Sequence, residues 1–375
     1  MNIKVLSIFG TRPEAIKMAP VVKELESRPN IKSVVCVTAQ HRGMLDQVLD
    51  IFNIKPDYDL NIMKPGQTLT YITTEALRKI EEIIKKEKPN LVLVHGDTTT
   101  AMAGTLAAFY QHIKVGHVEA GLRTYDIESP FPEEVNRQII DNISSLLFAP
   151  TKNSEANLIK QFNKNQKVFV TGNTAIDALK TTIKANYSHP VLDWVGNNRM
   201  ILITAHRREN LGEPMSRIFT AVRKITDNFN DVRIVYPIHL NPAVRQTAQK
   251  ILSNNDKVKL IEPLDVLDFH NFMEAAYFIM SDSGGVQEEA PSLGKPVLVL
   301  RETTERPEGV EAGTLRLVGT DTENIYNEAE RLLTDFSAYK DMSTTCNPYG
   351  DGFASKYIVD EIIKYFDNKT RSKTN

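Results

Sequence analysis

The chain has 375 residues, of which 41% are hydrophobic and 25% charged, with a formal net charge of -2. That length exceeds what one hydrophobic core serves, so two domains are expected, and the near-neutral charge gives no overall field to gather nucleic acid or an anionic membrane. The two cysteines, Cys36 and Cys346, form no CxxC pair and lie far apart, which indicates neither a zinc site nor a disulfide framework and suits a reducing cytoplasm, the expected location.

The chain opens with a buried run, Ile3 to Phe9, whose apolar stretch from Val5 to Phe9 is too short for a signal h-region, and no segment approaches the roughly 20 apolar residues of a membrane span. Amphipathic and buried runs then alternate: Ala15 to Glu26, Ser33 to Thr38, Met44 to Phe52, Tyr71 to Lys86, Leu91 to His95, Ala101 to Tyr110 and Lys114 to Val118. This is a βαβ rhythm, and continuous apolar strands between helices imply a parallel sheet covered on both faces. After a helix near Ala175 to Ile183, the segment from Lys184 to Pro190 breaks the pattern and reads as a linker. A second series follows, with strands at Met200 to Thr204, Val232 to Tyr236, Val258 to Ile261, Tyr277 to Ser281 and Pro296 to Leu300. The last helix runs from about Ala354 to Phe366, and the polar tail from Asn368 is expected to fray. The fold class is α/β, two doubly wound Rossmann-like domains at 1–172 and 173–353, with the C-terminal helix and tail at 354–375. In such folds ligands bind beyond the carboxyl ends of strands, so a ligand bridging a cleft between the domains is expected.

Chemistry-bearing residues should therefore cluster just after strands. The first strand leads into Gly10-Thr11-Arg12-Pro13-Glu14, with Lys17 one turn into the helix and Pro13 suited to its first turn. Leu91 to His95 leads into Gly96-Asp97-Thr98, and Lys114 to Val118 into Glu119-Ala120-Gly121-Leu122-Arg123. Asp97 before three threonines also reads as a helix N-cap. Glu119 is harder to explain structurally, although Arg123 is a possible partner. Glu133 and Glu134 open a helix, where the macrodipole accounts for at least one of them. In the second half His206-Arg207-Arg208-Glu209 and His239 follow strands. Ser281-Asp282-Ser283-Gly284-Gly285-Val286-Gln287-Glu288-Glu289-Ala290 reads as strand, glycine turn and helix start. The glycines permit backbone N–H groups to converge on a phosphate, with Glu288 and Glu289 placed for sugar hydroxyls; a helix capped by Asp282 or Ser283 is an equally good reading at this point. No HxxxH or HExxH spacing turns Asp97, Glu119, Glu133 and His206 into a metal site, and proton transfer is the better use for the carboxylates.

Together Gly10 to Ala15, His95 to Thr98, Val118 to Thr124, Pro132 to Arg137, His206 to Asn210, Ser281 to Ala290 and Thr303 to Glu308 resemble the bacterial non-hydrolysing UDP-N-acetylglucosamine 2-epimerases, in order along nearly the whole chain. The resemblance implies the glycosyltransferase-B type of fold, with the C-terminal helix crossing back to the N-terminal domain. It also implies a homodimer that interconverts UDP-GlcNAc and UDP-ManNAc without cofactor or metal. UDP would leave to give 2-acetamidoglucal and then re-add with C2 inverted. The product would supply ManNAc for cell-wall or capsular polysaccharide.

By the same resemblance, Asp97 and Glu133 carry acid/base work, Glu119 supports or shares it, and His206 faces the departing diphosphate. Arg12 and the Ser283-Gly284-Gly285 turn contact the diphosphate, Glu289 takes the ribose hydroxyls, Phe269 with backbone near Leu264 frames the uracil, and Lys17 and Arg306 belong to the same pocket. A second UDP-GlcNAc would bind as activator at Gln40, Arg207 and His239; Gly43 and Gly66 depart from the glutamine and arginine expected there, which weakens that site. The alternatives are a hydrolysing 2-epimerase that releases ManNAc and UDP, and a transferase of the same fold, which has no need of three carboxylates at strand ends of the first domain. A nicotinamide-dependent epimerase would want GxxGxxG after the first strand, where only Gly10 stands.

Overall fold

The computed structural model describes residues 2–40, 42–161 and 166–374. The chain forms two compact units, Met1–Lys180 with Tyr349–Asn375, and Thr181–Pro348. These divisions differ from the sequence-based boundaries at 172/173 and 353/354, and hydrogen bonds give the reason. The Asn173 N–H donates to Tyr349 O at 2.7 Å, and the Asp177 carboxylate accepts from the backbone N–H groups of Ala354 and Ser355 at 3.1 and 2.8 Å. The helix that starts at Thr174 is thereby tied to the returning C-terminal segment.

The first unit contains β1 (Ile3–Phe9), α1 (Arg12–Ser27), β2 (Ile31–Val37), α2 (Arg42–Ile51), β3 (Tyr58–Asp59), α3 (Leu69–Glu87) and β4 (Leu91–His95). It continues with α4 (Thr99–Tyr110), β5 (Lys114–Val118), α5 (Glu133–Ile143), β6 (Leu146–Ala149), α6 (Lys152–Lys160), β7 (Lys167–Val170) and α7 (Thr174–Thr182), whose last turn passes the unit boundary. The sheet has the order β3-β2-β1-β4-β5-β6-β7, all parallel. One face of it packs Leu6, Ile8, Val92 and Val94 against Ile80, Ile84, Ala103 and Ala107 of α3 and α4. Burial on both faces is why β4 reads as an unbroken apolar run. The C-terminal helix, Ala354–Thr374, packs on α1, buries Ile358, Val359 and Ile362, and pairs Asp360 with Arg28 at 2.7 Å. The tail expected to fray from Asn368 continues this helix, since no glycine or proline interrupts it.

The second unit follows with α8 (Pro190–Val195), β8 (Arg199–Thr204), α9 (Glu213–Asn228), β9 (Val232–Pro237), α10 (Pro242–Leu252), β10 (Val258–Ile261) and α11 (Val266–Ala275). Then come β11 (Phe278–Ser281), α12 (Gly284–Glu289), β12 (Val297–Val299), α13 (Pro307–Ala312), β13 (Leu315–Leu317), α14 (Thr322–Thr334) and α15 (Phe336–Thr344). Its sheet is parallel in the order β10-β9-β8-β11-β12-β13. The segment expected as a linker is anchored inside this unit: Lys184 N–H donates to Asn271 Oδ1 at 2.9 Å and the Tyr187 hydroxyl to Asp268 at 2.6 Å. Among the described residues no helix is long and apolar enough to cross a membrane.

Both sheets reverse strand order at one point, between β1 and β4 in the first and between β8 and β11 in the second. The loops that diverge from such a point open a crevice beyond the strand ends. Gly10 to Arg12 and Asp97 leave the first switch point, and His206 and Ser283 leave the second.

Candidate functional site

In the first unit, Gly10 is required by close approach, because a Cβ there would lie 1.9 Å from Thr38 Oγ1. The next turn is held by Glu14, buried at the third helical position. Its carboxylate accepts from the N–H groups of Gly10 and Thr11 at 3.0 and 2.8 Å and from the Thr98 hydroxyl at 2.7 Å. Burial pushes the Glu14 carboxyl above its usual value against those bonds. Glu14 therefore joins the loop that presents Arg12 to the loop that presents Asp97.

Asp97 is not the helix cap. Thr98 takes that place, its Oγ1 accepting from Ala101 N–H at 3.0 Å, and the Asp97 carboxylate pairs with Arg137 at 2.6 Å while its carbonyl accepts from Asn136 Nδ2 at 2.8 Å. Glu119 follows β5 with φ of +67°, the left-handed region, which costs a non-glycine residue on the order of 1 kcal/mol and persists where surrounding bonds enforce it. Its partner is Lys17 rather than Arg123, with His95 Nε2 3.4 Å away. Burial pushes the Glu119 carboxyl up, but Lys17 and His95 prevail and hold it well below the usual carboxylate range.

The two acids that open α5 behave differently. Glu134 is buried and accepts from the N–H groups of Thr124 and Tyr125 at 3.0 and 3.2 Å and from Gln138 at 2.9 Å, so its role is structural. Glu133 is half-buried, and its carboxylate makes no hydrogen bond or ion pair among the described residues. The first unit thus presents an ionised, tightly paired carboxylate (Glu119), an arginine-paired one (Asp97) and an uncommitted one (Glu133).

In the second unit Asp282, fully buried, does not cap α12 either. Its Oδ2 accepts from the N–H groups of His206 and Arg207, each at 2.8 Å, and from Asn210 Nδ2 at 3.0 Å, while Oδ1 lies 3.4 Å from His206 Nδ1. One buried acid from β11 thereby shapes the loop after β8. Ser283 stands at the N-cap position, and its hydroxyl has no partner among the described residues. A Cβ on Gly284 would meet the guanidinium groups of Arg306 at 3.6 Å and Arg207 at 3.7 Å, so two cations converge on the first amide of α12. Such a convergence of charge and free N–H groups suits a phosphate. Buried Glu288 holds Arg306 by its Nε at 2.6 Å, while Arg301 pairs with Glu209 at 2.7 Å and with Glu305 at 3.0 Å.

His206 stacks on His239 with centroids 5.3 Å apart. Burial, with His239 and Arg207 adding to it against Asp282, holds the His206 imidazole below its ordinary value. Glu289 lies 3.7 Å from buried His270, next in sequence to half-buried Phe269 on α11, and Leu264 is half-buried in the loop before that helix. The activator positions divide: Arg207 and His239 gather beside His206, whereas Gln40 belongs to the first unit, where it accepts from Thr100 Oγ1 and Gln67 Nε2, each at 3.0 Å. Among the described residues no group of three or more His, Cys, Asp or Glu converges to hold a metal ion. Sequence reasoning assigned no role to Glu14, Arg137 or Asp141, and placed Glu288 beside Glu289 for sugar hydroxyls before assigning only Glu289 to the ribose. The available signal was that each is an acid or cation on an otherwise buried helix face.

The family model described as UDP-N-acetylglucosamine 2-epimerase matches residues 23–363. A UDP-N-acetylglucosamine 2-epimerase of Bacillus subtilis is 64% identical over 365 residues, covering 97% of this chain and 96% of its own. The solved UDP-GlcNAc 2-epimerase of Neisseria meningitidis bound to UDP-GlcNAc superposes with a TM-score of 0.86 at 51% identity, covering 96% of this chain and all of that one, 100%. The Methanocaldococcus jannaschii UDP-GlcNAc 2-epimerase in complex with UDP-GlcNAc and UDP gives a TM-score of 0.78 at 36% identity over 97% of this chain and 100% of that one.

Proposed function

Because this chain belongs to the UDP-N-acetylglucosamine 2-epimerase family, an isomerase family, we propose that it interconverts UDP-GlcNAc and UDP-ManNAc without net hydrolysis. The C2 hydrogen of the sugar has no adjacent carbonyl, so its direct removal would leave an unstabilised carbanion. Cleavage at C1 removes that obstacle. The electrons of the C1–O bond leave with the β-phosphate oxygen of UDP, a carboxylate takes the C2 proton, and the C2–H electrons form the C1=C2 bond of 2-acetamidoglucal. In the reverse sense a second acid delivers a proton to the opposite face of C2 while UDP re-adds at C1. Atoms balance with no other reactant.

The observation that carries this reading is the distinct states of the three carboxylates. Proton transfer on two faces needs one group able to accept and another able to donate, each in its own environment. Glu133, half-buried and uncommitted, is free to cycle its proton; Asp97, steadied by Arg137, is the second proton-transfer group; Glu119, held ionised by Lys17 and His95, supports developing positive charge at the sugar.

The second unit supplies the grip on UDP. Arg306, Arg207 and the Ser283-Gly284-Gly285 amides are suited to the diphosphate, with Arg12 of the first unit as a further cation, and His206 to the leaving β-phosphate. Glu289 takes the ribose hydroxyls, and Phe269 with the backbone near Leu264 frames the base. We assign Gln40, Arg207 and His239 to a weakened activator site, and place the protein as a cytoplasmic homodimer supplying ManNAc units to envelope polysaccharide. Phosphorus NMR of UDP-GlcNAc with the protein separates epimerase from hydrolase. The reading expects UDP-ManNAc to grow at constant total nucleotide sugar; free UDP accumulating in step with ManNAc would replace it with the hydrolysing reaction.

A further inference from the structure

We propose that a buried pair, His117 and Asp141, is the positioning device that sets the three carboxylate-bearing segments of the first unit in register. This inference rests on the reading of Asp97, Glu119 and Glu133 as the proton-transfer set. Neither residue touches the solvent-facing ends of those carboxylates. His117 lies inside β5 with no exposed surface, and Asp141 lies two turns along α5 from Glu133 and is also buried.

The bonds define what the pair holds. His117 Nε2 lies 2.7 Å from Gly96 O, the carbonyl immediately before Asp97. A carbonyl only accepts, so Nε2 carries a proton and Nδ1 is directed at Asp141 Oδ1, 2.6 Å away. The other oxygen of Asp141 accepts from Gly121 N–H at 3.2 Å, two residues beyond Glu119, and pairs with the guanidinium of Arg123 at 2.7 Å. One imidazole and one carboxylate thus fasten the backbone before Asp97, the backbone after Glu119 and the helix that begins with Glu133.

Two features make this more than core filling. A buried ion-paired cluster is a poor route to stability, because desolvation offsets most of its attraction, so apolar residues would serve a plain core better. The loops it fastens are also conformationally costly: Gly96 and Glu119 adopt φ of +62° and +67°, and Gly121 adopts +87° with a would-be Cβ only 2.4 Å from Ser154 O. Segments held in such conformations need external bonds to persist. The remaining contacts of α5 agree, since Asn136 and Arg137 grip Asp97 from the same helix.

The test uses the full-length protein with Asp141→Asn, which keeps volume, and His117→Phe, which removes both bonds. Each is measured for melting temperature, UDP affinity by calorimetry, and kcat and KM of deuterium incorporation at C2 of UDP-GlcNAc in D2O. A misplacement of about 1 Å costs on the order of 100-fold in rate, so kcat of the folded Asp141→Asn protein is expected to fall about that much, with KM and UDP affinity within about twofold of wild type. Wild-type kcat in a folded variant, or a loss that only follows the unfolded fraction, would overturn the inference and leave the proposed function standing. If His117→Phe fails to fold, Asp141→Asn decides alone. No exchange in the wild-type protein would overturn the function itself.

Discussion

Asp282 and Glu288 show how a buried carboxylate fixes the position of another residue: Asp282 holds the His206 and Arg207 backbone, and Glu288 holds Arg306. Glu288 holds Arg306 by a charge-assisted bond to its Nε at 2.6 Å, beside the Gly284 amide. Replacing it with glutamine leaves the volume and weakens that bond, so Glu288→Gln is expected to lower UDP affinity about tenfold, roughly 1.4 kcal/mol, with little change in melting temperature. Titration calorimetry reads this directly, and unchanged affinity would show that Arg306 does not serve the diphosphate. Asp97→Asn and Glu133→Gln are expected to do the opposite: UDP affinity stays and C2 exchange is lost. Lost affinity in either would give that residue a structural role.

His206 carries a pH signature. Burial, reinforced by His239 and Arg207 and opposed by Asp282, holds it below its ordinary value, so the free protein keeps it neutral near pH 7. A bound diphosphate adds negative charge and raises its proton affinity. The complex then holds more protons than the free protein, and UDP affinity should rise as pH falls through the neutral range. Calorimetry in buffers of different ionisation enthalpy should show proton uptake in the wild type and none in His206→Asn.

At the level of elements, most of the architecture was legible because parallel strands buried on both faces leave continuous apolar runs. Some shorter pieces were missed: β3 has two residues, β13 has three, β7 lies at a sheet edge with exposed ends, and β6, though buried, has only four. The candidate site was legible to the extent that strand ends collect ionisable groups. Pairing was not. Asp282 and Asp97 both sit where a cap would, yet one ties the loop of β8 and the other pairs with α5, because long-range partners outcompete a local cap. Arg123 likewise turns to Asp141 rather than to nearby Glu119.

Two glycines separate binding from folding at this level. A Cβ at Gly284 makes only ordinary contacts at 3.6 Å or more, so Gly284→Ala should fold normally while crowding the space between Arg207 and Arg306 and weakening UDP. Gly121→Ala meets Ser154 O at 2.4 Å with φ of +87° and should destabilise by more than about 2 kcal/mol. Denaturant midpoints for the two variants check both statements.

For the molecule as a whole, the first unit is discontinuous and depends on the returning C-terminal helix. Its Ile358, Val359 and Ile362 are wholly buried, and burial of each such side chain contributes about 1.5–3 kcal/mol, so their sum rivals the stability of a typical domain. Truncation before Ala354 should therefore abolish the cooperative unfolding of the first unit, visible as early amide exchange in β1 and β4. Native protection there would contradict this.

The proposed function reduces to one claim: C1–O cleavage makes the C2 proton removable and UDP is retained until it returns. Proton NMR of UDP-GlcNAc incubated with the full-length protein in D2O reads that claim at the reacting carbon. The account predicts deuterium at C2 in both UDP-GlcNAc and the UDP-ManNAc formed. UDP-ManNAc that retains protium at C2, or a substrate recovered unlabelled and unchanged, would contradict it.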